Sequence, residues 1–173
     1  RNAAGVAGRT QTICALLALS AAFAERTVHK RYVAIVCGRI AEDAGEIDAP
    51  LDGRRAVTRW KVTGRHRSLK LGGGHLTSLE LFPQTGRTHQ LRVHAAAMGC
   101  PIIGDGKYGG PAAKIEGGSP KLHLFCRSMT FPHPKTGRKM TLSAPLQGHM
   151  LETWKFFTFD KNAKAEWPEG LRP

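Results

Sequence analysis

At 173 residues the chain has room for one domain with a full hydrophobic core, and only its charge is out of the ordinary. Its 26 Lys and Arg against 13 Asp and Glu leave a net +13 and a pI near 10.2, which points to a polyanionic partner, nucleic acid before an anionic membrane surface. Four scattered cysteines (Cys14, Cys37, Cys100, Cys126) without a C-x-x-C pair argue against a disulfide frame or a zinc site and for reduced thiols in the cytoplasm.

The first element is "RTQTICALLALSAAFAER". Its positive start, apolar middle and A-x-A imitate a secretory leader, but the apolar run is too short to span a bilayer. It reads instead as a core helix with Thr10 as N-cap and Ile13, Leu16, Leu17 and Ala24 on one face. "KRYVAIVCG" is a strand ended by glycine, with Tyr32, Ala34 and Val36 on one face and Val33, Ile35 and Cys37 on the other. "AEDAGEIDAPLDGRRA" is a polar loop or hairpin. "TRWKVTGRHRSLKLGGGHLTSLELF" gives one or two strands around a basic, glycine-rich connection.

Next comes "LFPQTGRTHQLRVHAAAMGCPIIGDGKYGG", which sets Arg87, His89, Gln90, Arg92 and His94 into eight residues. That many polar and cationic groups cost too much to bury without partners, so they mark a site. The spacing predicts a turn over 84–87 and a short helix capped by Thr88, running to Met98 and stopped by Gly99. His89 and His94 miss the i,i+4 spacing of two ligands on one helix face, and no metal site is expected. "GDGKYG" is a tight turn in which Asp105 is a turn acid. "KLHLFCRSMTFPHPKTGRKMTLSAPL" reads as two strands around a Pro/Gly hairpin. "HMLETWKFFTF" reads as a short helix, and 161–173 as a polar tail. Strands and helices without regular βαβ alternation indicate an α+β domain, single over 1–173, around a mixed, mostly antiparallel β-sheet with flanking helices.

These segments together resemble the RluA-type RNA pseudouridine synthases. "GRTHQLRVH" followed by "GCPIIGDGKYG" is similar to the family's signature. "RTVHKRYVAIVCG" matches its K-x-Y-x-A-x-V-x-G strand, and "LHL…FPHPKTGRKM.L.APL" its closing hairpin, all in order over about residues 10–147. The resemblance implies a catalytic domain that isomerises uridine in ribosomal or transfer RNA, with no cofactor. Because a base inside a duplex is out of reach, the target belongs in a loop or an opened stem.

The family's catalytic aspartate lies in H-R-L-D-x-x-[ST]-S-G, and "RNAAG" fits only the end of that motif, placing the aspartate just before Arg1. The chain thus reads as an N-terminally incomplete catalytic domain, with no initiator methionine, from a longer monomeric enzyme in which an RNA-binding domain can precede it. The alternative is a catalytically dead RNA-binding module of the same fold.

By match to the motifs, Arg92 is the cation that keeps the aspartate ionised, and Tyr32 the ring against which the uracil stacks. Leu122 is an apolar wall opposite, and Arg87, His89 and Gln90 bind the nucleotide. Lys30, Arg31, Arg65, Arg67, Lys107, Lys135, Arg138 and Lys139 are the candidate RNA phosphate contacts.

Overall fold

A computed structural model describes residues 3–67, 74–116 and 118–160, with side chains from residue 14 onward. It contains six strands and three α-helices among the described residues: α1 (Ala3–Ala24), β1 (His29–Cys37), β2 (Ala44–Asp48), β3 (Val57–Arg67), β4 (His75–Pro83), α2 (Gln90–Ala97), β5 (Leu124–Pro132), β6 (Lys139–Ser143) and α3 (Gly148–Phe156). The strands form one sheet in the order β2-β3-β4-β1-β5-β6. Every named pairing is antiparallel, so the parallel component expected of a mixed sheet is absent from the described strands.

The central strand β1 explains the layering. Its alternation sends Tyr32, Ala34 and Val36 to one face and Val33, Ile35 and Cys37 to the other, as its period of two requires. On the first face Ala34, Val36, Trp60, Leu79 and Leu81 pack with Leu91 and Ala95 of α2. On the second, Val33, Ile35 and Leu76 pack with Met150, Trp154 and Phe157 from α3 and its end. Ala34, Ile35, Val36, Leu76 and Leu79 are fully buried, and truncating such a leucine to alanine costs about 2 to 5 kcal/mol.

The predicted β3–β4 pair forms a hairpin whose connection, 68–73, lies outside the described residues; so does the predicted polar tail, 161–173. The acidic 41–56 stretch contributes edge strand β2. The β5–β6 hairpin turns over 133–138, where the His133 carbonyl accepts from the Gly137 N–H and the His133 N–H donates to the Arg138 carbonyl.

The N-terminal segment departs from expectation. It is helical from Ala3, so Thr10 lies inside the helix and not at its start. Nor is it a core helix among the described side chains: Leu16 and Leu17 are 63% and 64% exposed, and only Ala22 is buried.

Candidate active site

One sheet face, the turn at 84–89 and α2 together shape a cleft of about 280 Å³. Lys30 and Tyr32 reach it from β1, Arg87 and His89 from the turn, Arg92 from α2 and Leu124 from β5. Of the polar cluster singled out in the sequence, Arg87, His89, Gln90 and Arg92 line this one hollow and His94 does not.

The turn is held by Gln90 and not by the Thr88 cap expected from sequence. His89 occupies the position before α2 in the left-handed region (φ 52°), and no side chain caps the helix. Gln90 is 3% exposed. Its oxygen accepts from the Arg87 N–H at 3.0 Å and the Thr85 hydroxyl at 2.7 Å, while its NH2 donates to the Val57 carbonyl at 2.9 Å and Thr58 Oγ1 at 3.0 Å. An amide with all these bonds made has little left for a ligand. Gln90, read from sequence as substrate-binding, is thus a strut fixing the turn to β3. His94 is likewise structural, bonded to Thr58 Oγ1 and the Ala49 carbonyl. At the far end Gly99 (φ 71°) closes α2 as its sequence predicts, its N–H donating to the Ala96 carbonyl.

Arg92 is the most constrained cation of the cleft. Its Nε donates to Asp105 Oδ2 at 2.9 Å and its Nη2 to Asp105 Oδ1 at 2.6 Å. Asp105 does make the turn read from sequence, because Oδ1 also accepts from the Lys107 and Tyr108 N–H groups. Its guanidinium partner is the part the sequence reading missed. Gly104 (φ 77°) precedes it where a Cβ would sit 2.1 Å from the Lys121 carbonyl oxygen, so only glycine admits this turn. The bonds from Arg92 and the two N–H groups hold the Asp105 carboxyl below its usual range, against the opposing effect of burial. The same hydrogen bond raises the Arg92 guanidinium. The Tyr108 ring lies 5.0 Å from the Arg92 guanidinium carbon, and its hydroxyl is 3.0 Å from His89 Nδ1.

Tyr32 stands opposite Cys126 in the β1–β5 register, where a bulge between Arg31 and Tyr32 shifts the pairing. Burial first, then the Cys126 thiol, push its hydroxyl above the ordinary value. Lys30 holds its ammonium 5.0 Å from the centre of the Phe23 ring. Leu124, across from Ala34, supplies the apolar wall expected of Leu122; Leu122 packs against the core beside it.

The expected phosphate contacts divide. Arg31 is turned to the opposite sheet face, where its side chain is 11% exposed and its guanidinium donates to Glu80 Oε1 and Ser128 Oγ, away from the cleft. Arg65 is exposed and staples the 40–43 loop through the carbonyls of Ile40, Ala41 and Glu42 and a pair with Asp43, so its guanidinium already has protein partners. Arg87 lines the cleft and spends its Nε on the Arg55 carbonyl. Arg67, Lys107, Lys135, Arg138 and Lys139 are exposed. Lys139 shares a separate hollow with Thr27 and His29, next in the chain to Lys30 of the cleft. No group of His, Cys, Asp and Glu among the described residues has the geometry to hold a metal ion. No described helix is long and apolar enough to cross a membrane.

The fold and site define an α+β domain with a basic cleft on one sheet face, furnished by a tyrosine and an anchored arginine. The chain belongs to the RNA pseudouridylate synthase family, whose model matches residues 1–97. It is 40% identical over 137 residues to the dual-specificity RNA pseudouridine synthase RluA of Haemophilus influenzae, covering 70% of this chain and 59% of that protein. It is 33% identical over 170 residues to the ribosomal large subunit pseudouridine synthase D of Xanthomonas campestris pv. campestris, covering 84% of this chain and 49% of that one. The chain thus spans about half to three fifths of the length of these relatives. Two human structures share the fold. RNA pseudouridylate synthase domain containing 1 aligns with TM-score 0.60 at 25% identity, covering 73% of this chain and 58% of that one. Domain containing 4 aligns with TM-score 0.62 at 23% identity, covering 82% and 66%.

Proposed function

We propose that the protein isomerises uridine to pseudouridine in ribosomal or transfer RNA, at a loop or an opened stem, in the cytoplasm. In that reaction the N1–C1′ bond breaks, the uracil turns and C5 bonds to C1′; C5 loses a proton and N1 gains one. Electrons and atoms balance within the nucleotide, so the reaction calls for a carboxylate and an oriented base rather than a redox cofactor.

The observation that carries the reading is the meeting of Tyr32 and Arg92 in one cleft. The Tyr32 ring offers a face for the extruded uracil, with Leu124 as an apolar neighbour. Arg92 stays charged at any working pH and balances a carboxylate in a poorly solvated site. Lys30 and Arg87 at the cleft, with His89 beside Arg87, then meet the flanking phosphates.

The test is pseudouridine mapping in RNA from cells that lack the gene, then complementation with the whole reading frame or with Arg92→Ala. Sites that vanish and return with the first but not the second support the reading. An unchanged map overturns it, and RNA binding without any isomerisation replaces it with an RNA-binding module.

A further inference from the structure

Arg92 is gripped by two bonds from an acid that does not line the cleft, and that acid has no part in the chemistry above. We propose that Asp105 is a positioning residue: it clamps Arg92 from the side so that the remaining edge of the guanidinium is presented, preorganised, to a second anion in the cleft. This rests on reading the cleft as the nucleotide site.

A guanidinium carries five N–H donors in a planar fork. Asp105 occupies the side edge, taking Nε and one Nη2 proton at 2.9 and 2.6 Å. Both Nη1 protons and the second Nη2 proton remain, and they form an end-on fork that fits another carboxylate or a phosphate. Arg92 lines the cleft with 18% of its side chain exposed, whereas Asp105 is 1% exposed, so the clamping acid is buried while the arginine it holds is partly open to the cleft.

The clamp is itself immobilised. Asp105 Oδ1 accepts from the Lys107 and Tyr108 N–H groups, so the carboxylate cannot follow the arginine if the latter swings toward phosphate. The Tyr108 ring covers the guanidinium, and the bond of its hydroxyl to His89 fixes the ring. A pair that only stapled α2 to the 104–109 turn would need neither a cleft-facing edge nor a ring over its cation. The arrangement suits an arginine kept for the reacting nucleotide, leaving general RNA attraction to freer cations such as Arg87 and Lys30.

The experiment uses Asp105→Asn in the protein expressed from its whole reading frame. The asparagine oxygen still accepts from the turn N–H groups, but the charge and the two-toothed grip are gone. With fold checked by circular dichroism, single-turnover pseudouridine formation should fall roughly a hundredfold, the scale of an ångström-sized misplacement. RNA affinity should hold within about threefold or tighten, since one negative charge beside the basic cleft is removed. Turnover within about threefold of wild type, or rate and affinity falling together, overturns the proposal. Should Asp105→Asn not fold, Arg92→Lys carries the same expectation, because it keeps the charge and loses the fork.

An inactive wild-type protein counts against the function, not against this clamp, which is then read directly by NMR. The Arg92 Nε–H signal should be protected from exchange in this chain and lose protection in the Asp105→Asn variant. Exchange in the wild type as fast as at an exposed arginine overturns the proposal.

Discussion

Arg31 and Glu80 meet across the β1–β4 strand pair, Nη1 to Oε1 at 3.1 Å, on the sheet face opposite the cleft. Their side chains are 11% and 2% exposed, and Ser128 on β5 takes the Arg31 Nε, so the group ties together three adjacent strands. Burying such charges is costly, and removing one partner strands the other. Glu80→Ala should therefore destabilise the chain by about 3 to 5 kcal/mol, measured by urea denaturation. Arg31→Ala should lower stability while leaving the RNA affinity of the folded protein unchanged. A drop in affinity without a drop in stability would return Arg31 to the phosphate-binding set.

Gln90 gives a second stability test. Its carboxamide satisfies the Arg87 N–H, the Thr85 hydroxyl, the Val57 carbonyl and Thr58 Oγ1. Gln90→Ala leaves several of these buried groups unpaired, and unfolding free energy should fall by about 2 to 4 kcal/mol. A variant of normal stability and poor nucleotide binding would make Gln90 a ligand group instead.

Tyr32 separates stacking from proton transfer. Tyr32→Phe keeps the ring in the cleft and removes the hydroxyl, whose pKa burial and then Cys126 push above its ordinary value. If the ring does the work, Tyr32→Phe should retain turnover within about tenfold and Tyr32→Ala should lose far more rate than RNA affinity. Equal losses of rate and affinity in Tyr32→Ala would reduce the residue to packing.

The exposed cations predict a salt response. RNA affinity should fall on a log–log plot with a slope of about −0.7 for each neutralised phosphate of a single strand. Removing Lys135, Arg138 and Lys139 together should flatten that slope if the hairpin touches RNA. A slope identical to wild type would assign the hairpin to solvent.

His123 predicts a pH effect on stability. It is fully buried, its Nε2 meets Thr153 Oγ1 at 2.8 Å, and its neighbour His149 stacks edge-on at 5.0 Å. Burial first, then His149, lowers its pKa from 6.5, so the unfolded chain takes up the proton more readily. The stabilising contribution is complete above 6.5 and is lost as pH falls toward the lowered folded value. Urea midpoints should drop between pH 7.5 and pH 5.5 in the wild type and drop less in His123→Gln. Parallel drops would assign the effect to other groups.

Much of this was legible in the sequence, because alternation fixes which side of a strand a residue takes. Tyr32, Ala34 and Val36 fall on the cleft face as their spacing requires, and Gly99 ends α2 where its neighbours demand a left-handed residue. The partners of charges were not legible, since they depend on register between strands far apart in the chain. Arg31 looked like a free cation until Glu80 arrived beside it from β4, and Arg65 until the 40–43 loop folded over it. Leu122 and Leu124 share one strand phase, so only the pairing of Leu124 with Ala34 chooses between them. Asp105 showed its turn role in its glycine neighbours but could not show Arg92 reaching it from α2.

The strand order β4-β1-β5 carries a consequence for biosynthesis. β3 and β4 are hairpin neighbours and can zip as soon as they leave the ribosome, whereas β1 must wait, one edge unsatisfied, for β5. A nascent chain halted between Arg92 and Leu124 holds the tyrosine and the arginine but lacks one wall of their cleft. Quality control acting on such stalled products would meet an open sheet edge. The cleft is therefore completed in a single late step, when the closing hairpin seats.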